Sequence, residues 1–129
     1  MRICMSNSNT VVAVLNDLMF RVKIEDAAKR AGLQTIFVQS QADALARARE
    51  APAVIILDLN CAETQPLDTI RKLKASDDTK GINLVGYVSH VQADLKQAAQ
   101  EEGCDVVVAR SAFSQNLPTI LSRYYNGRS

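Results

Sequence analysis

A chain of 129 residues, 47% hydrophobic and 22% charged, is long enough to bury one core and has the make-up of an ordinary globular domain. Its formal net charge of +1 offers nucleic acid or an anionic membrane no long-range attraction, and 5% aromatic residues with no Trp leave little surface for stacking bases. No apolar run nears the roughly 20 residues that span a bilayer.

In chain order, "MRICMSNSN" is too short and polar for a signal peptide, so the expected location is cytoplasmic. "VVAVL" (Val11–Leu15) reads as a buried strand, and Phe20, Ile24, Ala27, Ala28 and Ala31 mark a helical face that Gly32 ends. "TIFVQ" (Thr35–Gln39) is a second strand. Ser40 with Asp43 then resembles a capping box that opens the helix "QADALARAREA". "AVIIL" (Ala53–Leu57) is wholly aliphatic, as a strand covered on both faces should be.

Pro66 suits a first helical turn, with Leu67, Ile70 and Leu73 following at helical spacing. "INLVGYV" (Ile82–Val88) is the fourth strand. Val91, Leu95, Ala98 and Ala99 face inward on a helix closed by Gly103, and "VVVA" (Val106–Ala109) is the fifth strand. Leu117, Ile120, Leu121 and Tyr124 form the last apolar stripe, and Pro118 puts that helix's start near Ser114 to Asn116.

Strict alternation of strands and helices implies parallel strands, right-handed crossovers and helices on both faces. Five such units fit an α/β, flavodoxin-like doubly wound (βα)5 sandwich of three layers, with sheet order 2-1-3-4-5. The expected domain is residues 11–125, between tails 1–10 and 126–129. Cys4, Cys61 and Cys104 are odd in number, far apart and without a C-x-x-C pair, which argues for thiols and against disulfides or structural zinc.

Sites in such sheets form beyond the carboxyl ends of the strands, where the strand order reverses. The first and third strands meet there and end on Asn16–Asp17 and Asp58, so two distant carboxylates should share one crevice. They repel unless a cation lies between them, and oxygen ligands with water suit Mg²⁺. Arg110, after the fifth strand, is the nearest candidate cation. Asp58 as a solvated strand end and Asp17 as a helix cap are the plainer alternatives.

From about Val11 to Tyr124 the chain resembles the receiver domains of bacterial response regulators, chiefly the single-domain chemotaxis type. "VIILDLN" resembles the phospho-acceptor strand, "VLNDLMFRVKI" takes the place of the paired acids, and "EEGCDVVVARSAF" resembles the segment ending in Lys-Pro. The resemblance implies Asp58 as acceptor, with Asp17, Asp58, the Asn60 backbone carbonyl and, weakly, Asn16 around Mg²⁺. Arg110 stands at the Lys position. It also implies two-component or phosphorelay signalling without enzymatic turnover. A histidine kinase or phosphotransfer protein would be the donor, a downstream protein the target, and residues 91–124 a surface for a homodimer.

The chain departs from that pattern at several positions. Asn16 replaces the first acid, Val88 replaces the switch Thr or Ser, and Val107 falls where many relatives carry an aromatic. Arg110 is followed by Ser111 instead of Pro, and "CAETQP" lacks the usual Pro and Gly. Arg110 could pair with unmodified Asp58, and Ser89 could replace Val88 only if the strand slipped by one residue. These losses touch the readout more than the acceptor, so a pseudo-receiver acting only by binding or oligomerisation is the alternative.

A cofactor-binding enzyme is disfavoured. "NDLMF" has no Ser, Thr or Gly to cradle an FMN phosphate, and no G-x-G-x-x-G, P-loop or nucleophile elbow occurs. His90 reads as a surface loop residue, Cys61 as packing and Ser111 as a helix-start residue. "YNGRS" reads as a loose tail with no DNA-binding element after it.

Overall fold

The computed structural model describes residues 9–89 and 93–125; the readings of Cys4, His90, Val91 and the outer parts of both tails lie outside them. The strands are β1 (Thr10–Val14), β2 (Gln34–Val38), β3 (Val54–Asp58), β4 (Asn83–Val88) and β5 (Val106–Ala109). The helices are α1 (Leu18–Arg30), α2 (Gln41–Ala48), α3 (Pro66–Ala75), α4 (Ala93–Glu102) and α5 (Arg110–Ser122). All strand pairs are parallel, in the order β2-β1-β3-β4-β5.

Alternate strand residues point to opposite faces of a sheet, and here each face has its own core. Val12, Val14, Ile55, Leu57, Leu84, Val88 and Val107 pack with Ala44, Ile70, Leu73 and Ala99 from α2, α3 and α4. On the other face Val11, Ala13, Ile56, Val85 and Tyr87 pack with Phe20, Ile24, Phe113, Leu117 and Leu121 from α1 and α5. Burial on both faces is why β3 reads as an unbroken aliphatic run.

Helix starts follow the local chemistry. Asp17 accepts from the Phe20 amide at 3.1 Å and Ser40 from the Asp43 amide at 3.1 Å, each satisfying an orphan donor of a first turn. Pro66 is the first residue of α3, where its missing N–H costs nothing. After α1, Gly32 has φ +84°, the left-handed turn expected past a helix end.

The expected start of the last helix is corrected. α5 begins at Arg110, directly after β5, and Pro118 lies inside it. The stripe that α5 buries includes the expected Leu117 and Leu121, with Ile120 and Tyr124 partly buried beside them, and it extends one turn further back to Phe113. Pro118 sits on the exposed side, so burial of that stripe outweighs one lost helical hydrogen bond.

Candidate functional site

β1 and β3 are neighbours, and the residues at and just after their carboxyl ends bring Asp17 and Asp58 to one crevice, with Arg110 entering from the start of α5. Asp58 is the last residue of β3 and stands opposite Tyr87 of β4 in register. Its Oδ1 accepts from the Asn60 amide at 2.9 Å, so the chain turns back over the carboxylate immediately after the strand. Desolvation raises the Asp58 pKa above the ordinary carboxylate range. The Asn60 amide and Arg110 oppose it, the like charge of Asp17 adds to it, and the Tyr87 hydroxyl lowers it again.

Arg110 does not clasp Asp58. Its guanidinium is bonded to the carboxylate of Asp17 and lies over the Phe20 ring, 4.6 Å from the centroid. The reason is positional: Phe20 is on the first turn of α1, which Asp17 caps, so the ring that supports the cation leads it to the cap. Burial pushes the Asp17 pKa up, but the Phe20 amide, the Arg110 charge and bond, and the Met19 amide outweigh it and leave it lowered. Asp17 is therefore both the helix cap and the crevice partner of Arg110.

Asn16 is held by the loop after β3. Its Nδ2 donates to a Glu63 carboxylate oxygen and reaches Cys61 Sγ at 3.5 Å. That loop contains a 3-10 turn (Ala62–Thr64) closed by Gln65 with φ 49°. Glu63 escaped sequence reading because only the fold brings it to Asn16. Ser89 keeps the strand in register and stays exposed, yet it is tied to the site: its amide and hydroxyl both donate to Asn60 Oδ1, at 2.7 and 3.0 Å.

Val88 and Val107 are buried in the core cluster on the α2–α4 face, opposite to the face of Asp58. Below the crevice Phe20, Tyr87 and Phe113 form an aromatic floor, with centroids 4.8, 5.8 and 5.1 Å apart. Half of the chain's three Phe and three Tyr residues thus meet at one point. The low aromatic content was visible in the sequence, but their convergence was not.

A divalent cation would need several free oxygen ligands converging in the crevice. Among the described residues no three His, Cys, Asp or Glu side chains gather where a metal ion could be held. Asp17 is engaged by Arg110 and Asn16 by Glu63. As arranged, the residues do not fit Mg²⁺, because the guanidinium already supplies the positive charge that two carboxylates require.

No family model matches the sequence, and no curated protein does. Solved structures do. A response regulator from Hahella chejuensis is 20% identical, with a TM-score of 0.82 over 95% of this chain and 100% of that one. A response regulator signal receiver domain from Bermanella marisrubri is 23% identical, with a TM-score of 0.78 over 92% and 99%. The receiver domain of a sensor histidine kinase from Pseudomonas aeruginosa, 14% identical with a TM-score of 0.78 over 93% and 99%, holds a magnesium ion in its active-site cleft. At these identities the likeness is one of fold, and the fold of this chain is that of the response-regulator receiver domains.

Proposed function

We propose that the protein is an atypical receiver in two-component or phosphorelay signalling, with Asp58 as its phospho-acceptor and protein–protein contact as its output. The observation that carries this reading is the placement of Asp58: a half-buried carboxylate at the last position of a central strand, at the reversal of strand order, beside Asp17 and Arg110. In the reaction, an Asp58 oxygen forms a bond to phosphorus. The bond from phosphorus to the donor breaks, to oxygen in acetyl phosphate or to nitrogen in phosphohistidine, and the leaving group departs with the electron pair. Arg110 is the charge nearest the oxygens that become more negative.

The donor would be a histidine kinase or a phosphotransfer protein. The face built from α4, β5 and α5, where Val106 is an exposed apolar residue, is the surface offered to a downstream protein or a second copy. Mg²⁺ could assist only after Arg110 left Asp17, so phosphorylation should depend on it weakly.

One finding favours a second reading. The Arg110–Asp17 pair with Val88 buried leaves neither a free metal site nor a switch hydroxyl at that position, as suits a phosphorylation-independent binding module. The test is incubation with acetyl phosphate or beryllofluoride, with and without Mg²⁺, of the wild type and Asp58→Ala, read by intact mass and NMR. An adduct on the wild type alone supports the acceptor. A folded wild type that stays unmodified removes it and leaves the binding module.

A further inference from the structure

Val88 carries no hydroxyl, yet the crevice has one from its neighbour. Tyr87 is 1% exposed, and its ring packs against both Phe20 and Phe113. Its hydroxyl is buried and closes no well-formed hydrogen bond, although it is near enough to the Asp58 carboxylate to act on it; among the described residues only Thr35, on β2, shares the lack of a well-formed bond. Folded proteins keep few such groups, because a buried donor without an acceptor loses its water and gains nothing. A third Phe would fill the same space without that cost.

What the hydroxyl faces supplies the reason for keeping it. Tyr87 and Asp58 are register partners on adjacent parallel strands, and both side chains emerge on the α1–α5 face. We infer that the Tyr87 hydroxyl is the hydroxyl of this site. It is a positioning residue, fixed from below by two aromatic rings, that donates a hydrogen bond to the Asp58 carboxylate and to the phosphoryl oxygens once Asp58 carries them. The second half of that role rests on Asp58 being the acceptor; the first does not.

Geometry supports the assignment and so does electrostatics. The hydroxyl lies close enough to Asp58 to favour its ionised form, while burial, then the charge of Asp58, keep the phenol itself protonated and able to donate. The other charged or titratable groups about Asp58 are Asp17 at the start of α1, Arg110 at the start of α5, and Cys61 and Glu63 in the turn after β3.

The test uses the full chain with ¹³C-labelled aspartate, following the Asp58 carboxyl by NMR from acid to neutral pH. Tyr87→Phe keeps the ring and removes the donor, and should make Asp58 a roughly three- to tenfold weaker acid. Site-specific 3-fluorotyrosine at position 87 strengthens the donor and should shift the titration the opposite way. Thermal unfolding shows whether each variant is folded. An Asp58 titration unmoved in both overturns the inference. Acetyl phosphate separates this result from the acceptor reading. If Asp58 is phosphorylated in the wild type and in Tyr87→Phe, with equal lifetimes and titrations, Tyr87 loses its role and the acceptor keeps its own. If no variant is phosphorylated but the titrations move, the acceptor falls and the Tyr87 hydrogen bond stands.

Discussion

Arg110 is paired with Asp17, whereas Asp58, the other carboxylate of the crevice, accepts from the Asn60 amide. The pair is partly exposed and is seated on the Phe20 ring. Removing the cation therefore forfeits a screened ion pair and a cation–π contact, and it exposes two like charges to each other. Arg110→Ala should lower stability at neutral pH by about 1–2 kcal/mol. Because Asp17 has a lowered pKa, the ion-pair part of that loss is fully present above its unfolded value near 3.8 and fades as pH falls through the lower folded value. The same variant should bind Mn²⁺ more tightly, measured by its paramagnetic resonance signal. Unchanged metal binding would show that the guanidinium does not occupy the cation's place.

Asp58 behaves in the opposite sense. Its raised pKa means that the carboxylate opposes folding; the stability its protonated form gives is present below about pH 3.8 and is lost as pH rises through the folded value. Asp58→Asn should accordingly stabilise the fold at neutral pH, by roughly 0.5–2 kcal/mol, a typical gain from relieving a functional-site cost. The gain should shrink as the solution is acidified through the folded value and be gone by about pH 3.8. Urea midpoints across pH 3 to 8 measure it, and a destabilised Asp58→Asn at pH 7 would contradict the electrostatic account of the site.

The architecture was legible because both periodicities were clean. Aliphatic runs alternating with 3.6-period stripes dictate a wound sheet, and strand ends at the reversal point dictate where Asp17 and Asp58 meet. What the sequence could not show was pairing among side chains that only the fold brings together. Arg110 selected Asp17 because of a ring on α1, and Glu63 engaged Asn16 from a turn whose left-handed Gln65 is not a residue that announces one. Tyr87 reads from the sequence only as part of the strand "INLVGYV", since the value of its hydroxyl depends on what lies opposite in the sheet.

Gly86 tests how tightly the α2–α4 face of the sheet is packed behind the site. It lies within buried β4, and a Cβ there would meet Leu59 Cδ1 at 2.9 Å. Leu59 directly follows Asp58, its amide donates to the Tyr87 carbonyl at 3.0 Å and its side chain is buried, so a shift there is felt beside both Asp58 and Tyr87. Gly86→Ala should cost about 1–3 kcal/mol by overpacking and should perturb the Asp58 and Tyr87 NMR resonances. Both effects should be weaker for Gly81→Ala, where a Cβ would meet nothing within 4 Å.

Pro118 offers the opposite kind of change. It interrupts α5 from the exposed side, and the carbonyl of Ser114 loses the amide that would have bonded to it one turn later. Two residues before the proline, Asn116 turns its side chain back to donate to the Ala112 carbonyl at 2.9 Å. The buried stripe of Phe113, Leu117 and Leu121 holds the helix together across the break, and Pro118→Ala touches none of those residues. Restoring the amide and removing the ring's clash with the preceding turn should stabilise the chain by about 1–3 kcal/mol, read as a higher urea midpoint with unchanged slope. The Asp58 titration should stay where it is. A lower midpoint would mean that the break in α5 is needed to seat Arg110 and Phe113 under the crevice, so that the proline belongs to the site after all.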